Sequence, residues 1–307
     1  MAKSTTSTKA KTKTTKKPAA KAKTVAAKTS RATKSTKVTR PAAKAAVKNN
    51  GRAVVTSASL RKLHFIKAFV TAALAIAAGA LMNNTAYAMT LGYQAKDELL
   101  SLTAGKTAFV HASQSVLDVQ VRWMVVIILG LSALFSLLAA TRMRRKYETA
   151  LATNVSPMRW VGIGITSALI VETIALLTGV SDIVTLKLLA GLVLATSALG
   201  WVIEKRVKQA GRPIWSEFAI SVFTGILPWI LIGSYALSTW VYGLVRYPWF
   251  VYALIASTIV GFTLLAVNQY KHVSGWKDYP VIDRNYILIA TATHAAFAVI
   301  LILAFQK

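Results

Sequence analysis

The chain has 307 residues, 55% of them hydrophobic, and a formal net charge of +27 at pH 7. It contains no cysteine, so disulfides and cysteine-based metal or thiol sites are excluded. All ten acidic residues and every long apolar run lie after residue 58, and that part has the composition of an integral membrane protein.

Residues 1–58 form a basic segment with sixteen Lys or Arg residues and no acid. Ala, Thr, Ser and Lys dominate it, so it cannot bury a core and is predicted to be disordered. We expect it to lie in the cytoplasm against anionic lipid. Its charge also attracts nucleic acid, but no interleaved aromatic residues offer a platform for bases, so a nucleic-acid role is not expected.

Seven apolar runs follow this segment, and they predict an all-α bundle of seven transmembrane helices within residues 59–307. Each run has about 20 residues with few charges, which is enough to cross a bilayer as one helix. The predicted spans are residues 64–82, 120–141, 159–178, 183–203, 214–237, 249–270 and 285–305.

Basic residues are concentrated in alternate connections between the predicted spans, and this sets the orientation of the chain. The third connection has no basic residue and the fifth has only Arg246, whereas the second, fourth and sixth have several. The pattern predicts a cytoplasmic N-terminus and an outer C-terminus, in a multi-pass protein of the plasma membrane. The basic residues are Arg142, Arg144, Arg145, Lys146 and Arg159, then Lys205, Arg206, Lys208 and Arg212, then Lys271, Lys277 and Arg284.

The first connection, residues 83–119, is the only long one and faces outward in this orientation. A connection of this length is unusual in a bundle of helices. We expect residues 87–91 and 108–111 to pair as short strands over the outer face.

Two charges lie well inside the predicted spans, Glu172 on the third and Lys187 on the fourth. Glu172 precedes Gly179 by seven residues and Lys187 follows Asp182 by five, so both lie about 8–10 Å from the intervening turn. An unpaired charge at mid-membrane costs at least about 2.5–3.5 kcal/mol, which favours an ion pair between the two helices. Separation to opposite faces and a proton or ion relay are the alternatives. Lys67, near the start of the first span, is expected to extend to the headgroups.

The last predicted span is free of acids, Lys and Arg, but it contains His294 near its middle. An unpaired polar group in hydrocarbon is costly, so the ring should bond to Thr291, Thr293 or a buried water. A pH-sensing or proton-shuttling imidazole is the alternative. The other histidines lie at span ends or in the first connection, so no metal site is predicted.

Several stretches of the spans and connections carry a resemblance to a known family. They are LGLSALF (129–135), RWV (159–161), GxxDIV (179–184), GWxxEK (200–205), GILPWI (225–230), FVY (250–252) and QYK, WxxY and RxYI within 269–287. In these the chain resembles the heliorhodopsins, which are rhodopsins of inverted membrane orientation. The resemblance covers roughly residues 120–305 in register and is looser in the first span. It implies a seven-helix bundle with a cytoplasmic N-terminus.

The resemblance also implies a retinal chemistry from which this chain departs. The seventh-helix lysine that binds retinal as a Schiff base corresponds in register to His294, and the counterion glutamate corresponds to Gly162. An imidazole is not a primary amine and cannot form an imine, so covalent retinal at this position is excluded. Pro228 and Trp229 correspond to a wall of the family's pocket, and Glu204 corresponds to an acid of its polar network.

We therefore expect a photoreceptor-derived membrane protein that acts in regulation or interaction, without pigment and with no cofactor. No Gly-rich phosphate loop, pair of catalytic acids or Ser-His-Asp set occurs, so neither enzymatic activity nor a catalytic residue is predicted. The expected partners are anionic lipids, an unidentified cytoplasmic protein and, as an open alternative, a second copy in a homodimer. Other hypotheses are non-covalent retinal or carotenoid binding, a displaced retinal linkage at Lys187, and proton or ion conduction through Glu172, Lys187 and His294.

Overall fold

The computed structural model describes residues 55–243 and 246–306. The predicted disorder of residues 1–58 therefore lies almost entirely outside the described residues. All the described residues belong to one compact unit, residues 51–307.

The described part of the chain contains nine α-helices and one two-stranded sheet. In chain order they are α1 (Ser57–Leu81), β1 (Ala86–Asp97), α2 (Glu98–Ala104), β2 (Ala108–Gln120), α3 (Val121–Ala140), α4 (Arg144–Thr153), α5 (Pro157–Leu177), α6 (Ile183–Ala210), α7 (Trp215–Tyr242), α8 (Trp249–Val273) and α9 (Tyr279–Ala304). All except α2 and α4 are long and apolar enough to cross a membrane. The predicted bundle of seven membrane-spanning helices is thus confirmed.

Most of the spans are longer than their predicted runs, and α1, α6 and α9 exceed them by the most residues. Helix α1 begins at Ser57 because Thr56 and Ser59 form a capping box, in which Thr56 Oγ1 accepts from the Ser59 amide at 3.2 Å. Helix α6 continues to Ala210, beyond the predicted end at residue 203. Helix α9 begins at Tyr279, where a proline follows in the first turn, rather than at residue 285.

The spans enclose one main hydrophobic core, with α5 as the most buried of them. Helix α1 packs against α3 and α9, α5 against α6, α6 against α7, and α8 against α9. Phe297 and Leu301 of α9 are fully buried in this core, as are Val171 and Ile174 of α5. We call the end of the bundle where α1 and α5 begin the basic end, because the arginine-rich helix α4 lies there.

The opposite end carries a hairpin of β1 and β2. The strands pair antiparallel from Ala86↔Gln120 to Asp97↔Ala108, with an irregularity after Met89. Two strands are present as predicted and are longer than expected, but the predicted pairing is wrong, because residues 87–91 pair with residues 114–119 and residues 108–111 pair with residues 94–97. The Thr90 amide donates to the Ser181 carbonyl oxygen at 2.8 Å, which ties the hairpin to the α5–α6 turn.

The first and last spans also meet at the hairpin end. Met82 and Gln306 form an antiparallel bridge, and the Asn83 amide donates to the Phe305 carbonyl oxygen at 2.7 Å. Main-chain hydrogen bonds therefore close the ring of helices between α1 and α9 at this end.

Candidate functional site

One buried stripe of α9 carries four polar side chains into the interior of the bundle. It runs through Tyr279, Asp283, Tyr286, Ala290 and His294, at spacings of four and three residues. These spacings place side chains above one another on a helix with 3.6 residues per turn. All five are buried, so the face that contacts the other spans is also the face that carries the chemistry.

His294 turns its ring toward its own helix. Its Nδ1 is bonded to the Ala290 carbonyl oxygen, which can only accept, so Nδ1 carries the proton. Nε2 is buried and has no hydrogen-bond partner among the described residues. The predicted partners Thr291 and Thr293 instead donate to carbonyl oxygens one turn before them. The partner differs from the prediction because a carbonyl of the preceding turn is within reach of the ring.

Gly162 lies on α5, and its surroundings leave little room for a side chain. A Cβ added there would lie 3.3 Å from Cγ of Phe135 on α3. Its carbonyl oxygen accepts a hydrogen bond from Thr166 Oγ1 at 2.8 Å. The position therefore supplies no carboxylate, and a side chain there would require Phe135 to shift by a few tenths of an ångström.

The residues expected to line a pocket, Pro228, Trp229 and Glu204, do not share a site. Glu204 lies six residues before the end of α6, and Pro228 lies thirteen residues after the start of α7. Because α6 and α7 run in opposite directions, Pro228 is about 10 Å further along the bundle. Trp229 packs edge-on against Phe262 with ring centroids 5.5 Å apart. Helix α7 continues through Pro228.

Glu204 instead belongs to an ionic network near the basic end. Arg159 donates to the carboxylates of both Glu204 and Asp283, and all three side chains are less than a tenth exposed. The Tyr147 hydroxyl donates to Asp283, and the Ser156 amide donates to Glu204 at 3.0 Å. The network thus joins α4, α5, α6 and α9 through one guanidinium group.

Aromatic rings surround the guanidinium group of Arg159. It lies 4.4 Å from the ring centroid of Tyr286 and 5.2 Å from that of Tyr279. The Tyr286 hydroxyl donates to the side chain of Gln269 on α8. Burial, together with the neighbouring Asp283 carboxylate, raises the pKa of Tyr147, so this phenol stays protonated and donates.

The sequence did not predict the pairing of Arg159 with Asp283, because it indicates Arg159 only as a basic residue of the second connection. The two residues are 124 positions apart, so no local pattern joins them. The spacing of Asp283 from Tyr286 and His294 was the available signal, because it places this acid on the buried stripe.

The intramembrane charges Glu172 and Lys187 are joined in the structure. The Lys187 ammonium donates to Glu172 Oε1 at 2.7 Å. The two partners of this ion pair differ in exposure, because the Glu172 side chain is 3% exposed and the Lys187 side chain is 61% exposed. The acid is therefore the buried partner, and the lysine approaches it from the outer surface of the bundle.

A cavity of about 680 Å³ opens at the basic end, between α1, α3, α4, α5 and α9. Gly162 and Ala290 lie in its lining, whereas His294 does not. Lys67 also lines it, so this side chain turns into the bundle and not toward the headgroups as predicted. The reason is that α1 begins at Ser57, seven residues before the predicted span, so Lys67 lies about 15 Å from the end of the helix. We call this space the basic-end cavity.

These features define an integral, multi-pass membrane protein with the seven-helix rhodopsin fold. The fold is similar to that of the transmembrane domain of Salpingoeca rosetta rhodopsin phosphodiesterase, with a TM-score of 0.56 and 13% identity over 81% of this chain and 84% of that chain. A second crystal structure, which includes the linker region, gives a TM-score of 0.54 and 12% identity over 81% and 79%. Identities this low show a shared fold alone.

The sequence model of the heliorhodopsin family matches residues 60–304, and the chain belongs to the heliorhodopsin family. This confirms the resemblance and extends it through the first span. No curated protein matches the chain.

Proposed function

We propose that this heliorhodopsin is a non-pigmented regulatory or interaction protein that lacks the lysine for a retinal Schiff base. The observation that carries the proposal is His294, a buried imidazole in the middle of the last span. Its ring offers no primary amine, and one ring nitrogen is already bonded to the main chain.

The surroundings of Gly162 support the same proposal. A protonated Schiff base within a membrane requires a carboxylate nearby. Gly162 has no side chain, and the ring of Phe135 lies against the space that one would enter. The amine and its counterion act together, because a protonated Schiff base needs both. The absence of the one is therefore chemically consistent with the absence of the other.

The regulatory role would be exerted at the basic end, which we place in the cytoplasm of a plasma-membrane protein. Helix α4 carries exposed Arg145 and Lys146 there. Residues 1–58 of the sequence contain sixteen further basic residues. Anionic lipid is the proposed partner of these charges. An unidentified cytoplasmic protein would receive the signal, a homodimer is an alternative assembly, and no reaction is catalysed.

The proposal is tested by adding all-trans retinal during purification and recording the visible spectrum before and after hydroxylamine. We expect no red-shifted band. A band that hydroxylamine bleaches would show an imine and overturn the proposal. A band that resists hydroxylamine would instead support the second hypothesis, in which retinal or a carotenoid is bound without a covalent bond.

Ion or proton conduction through Glu172, Lys187 and His294 is disfavoured by the geometry of the pair. Glu172 and Lys187 bond to each other, as expected for a clamp between α5 and α6. Conduction predicts a light- or pH-driven current in liposomes that Glu172→Gln abolishes. We expect no such current from either protein.

A further inference from the structure

The basic-end cavity extends deep into the bundle. Along α5 its lining runs from Pro157 to Thr166, which is about 14 Å of helix. Along α9 it runs from Asp283 to Ala290, about 10 Å. At about 680 Å³ it lies within the range of small-molecule sites. The cavity is large enough for a ligand that occupies half the thickness of the membrane.

Lys67 lies at the deep part of this cavity with no ionic partner. It follows the start of α1 by ten residues, or about 15 Å. Lys67 makes no ion pair with any acid of the described residues. Asp283, the acid near it, is engaged by Arg159 and Tyr147. Lys67 is half-buried, and an ammonium group that lines an apolar cavity without an ion-pair partner would bind an anion brought to it.

Two further polar side chains of the lining lack partners. Ser132 is 2% exposed, and its hydroxyl is buried with no hydrogen bond among the described residues. Both ring nitrogens of His64 are likewise buried without a partner. Native proteins satisfy nearly all such groups, so their presence with Lys67 in the lining of one cavity indicates that a polar group binds there.

The rest of the lining is largely apolar. Phe135 and Ala139 of α3 form one wall, and Met158 and Ile163 of α5 form the facing one. Arg145 and Lys146 lie at the mouth and are exposed. Positive charge at the mouth attracts an anion, whereas the apolar walls require an attached hydrocarbon chain.

We propose that the basic-end cavity binds a single-chain anionic lipid, with its carboxylate on Lys67 and Ser132 and its acyl chain between α3 and α5. Lys67 supplies a charge-assisted donor, and the Ser132 hydroxyl supplies a second one. His64 stands beside them as a third candidate donor. The cationic mouth collects the fatty anion from the membrane surface. The proposal that the lipid binds is based on this geometry. A role of the bound lipid as a signal rests on the proposed regulatory function.

Oleate is the probe, applied to the full-length protein in nanodiscs of zwitterionic lipid. We expect saturable binding of oleate and at least tenfold weaker binding by Lys67→Gln. Lys62→Gln is the matched control, because Lys62 is exposed on the same helix five residues earlier, and its affinity should be unchanged. Oleyl alcohol and acetate, which each lack one half of the ligand, should both bind poorly.

Equal affinity for oleate and oleyl alcohol, or unchanged affinity in Lys67→Gln, would overturn the proposal. If Lys67→Gln does not fold, a photo-crosslinking fatty acid applied to the unaltered protein decides the matter. Labelling of peptides that contain Phe135–Ala139 or Met158–Ile163 is expected, and labelling of other surfaces alone contradicts it. Failure of oleate binding leaves the retinal experiment unaffected, so the two proposals can fail separately.

Discussion

At the scale of single residues, Arg159 is the group on which the basic end depends. It is the counter-charge of two buried carboxylates, Glu204 and Asp283. We predict that Arg159→Gln destabilises the protein by about 3–5 kcal/mol, because both acids are left buried without their partner. Equilibrium unfolding in mixed detergent micelles measures the change.

Arg144 provides the control for Arg159. It also pairs with an acid, Glu148, but the two side chains are 43% and 42% exposed. Arg144→Gln should therefore cost less than about 1 kcal/mol. Similar costs for the two substitutions would show that the buried network does not stabilise the fold.

Substitutions at His294 and Gly162 test whether covalent retinal binding can be restored. We predict that His294→Lys with Gly162→Glu forms a pigment with all-trans retinal, seen as a visible band that hydroxylamine bleaches. Because Phe135 lies 3.3 Å from the position of the new Cβ, the additional change Phe135→Ala should increase the yield. A triple variant without colour would mean that the core has filled the space of the chromophore.

The single variant His294→Lys is the comparison for this experiment. It has the amine but no carboxylate at position 162. Without the negative charge the protonated imine is disfavoured in an apolar interior. Any band should therefore lie in the near ultraviolet, and a visible band would assign the counterion to another acid.

At the scale of elements, the clamp between α5 and α6 is asymmetric. Removing Lys187 leaves Glu172 buried without a partner, so Lys187→Met should cost at least about 1–3 kcal/mol. Removing the charge of Glu172 leaves a lysine that is 61% exposed and can extend to the headgroups. Glu172→Gln should therefore cost less than Lys187→Met in the same unfolding measurement, and the reverse order contradicts the assignment of the buried partner.

Helices α8 and α9 approach each other closely at Gly261. A Cβ added there would collide with the side chain of Thr293. We predict that Gly261→Ala destabilises the bundle by about 1–3 kcal/mol through overpacking. Gly130 of α3 has nothing within 4 Å of the same construction, so Gly130→Ala is the control and should be neutral or slightly stabilising. Equal effects of the two substitutions would show that the contact with Thr293 does not cause the destabilisation.

The elements differ in how far hydropathy could predict them. The seven spans follow from apolar length, but the start of α9 was set too late because Asp283 and Arg284 interrupt the run. The charge of Asp283 is tolerated there because Arg159 neutralises it, and only the folded bundle brings the two together. Helix α4 was missed because it is short and polar, and neither apolar length nor a spanning pattern identifies it.

The parts of the candidate site also differ in how far the sequence could predict them. Glu172 and Lys187 lie on helices joined by a tight turn, so counting residues from that turn was enough to suggest their pairing. The basic-end cavity lies between the consecutive helices α3, α4 and α5 and two helices that are distant in the chain, α1 and α9. Its existence depends on how these helices pack, which a single sequence does not specify.

At the scale of the whole molecule, the distribution of basic residues predicts the orientation of the bundle. The chain has no cysteine, so single cysteines can report on it without background. Lys106 beside the hairpin and Lys208 near the end of α6 are both exposed. We predict that an impermeant maleimide labels Lys106→Cys on intact cells and labels Lys208→Cys only after permeabilisation. The opposite pattern would reverse the topology.

The main-chain bridge between Met82 and Gln306 has a mechanical consequence for such a molecule. It fastens the first and last spans at the hairpin end, whereas the opposite end contains a cavity between α3 and α5. Any rearrangement of the helices should therefore pivot about the fastened end and be widest where α4 lies. A protein bound beside α4 would therefore be displaced by the largest movement of the helices, and a protein bound to the hairpin would be displaced very little.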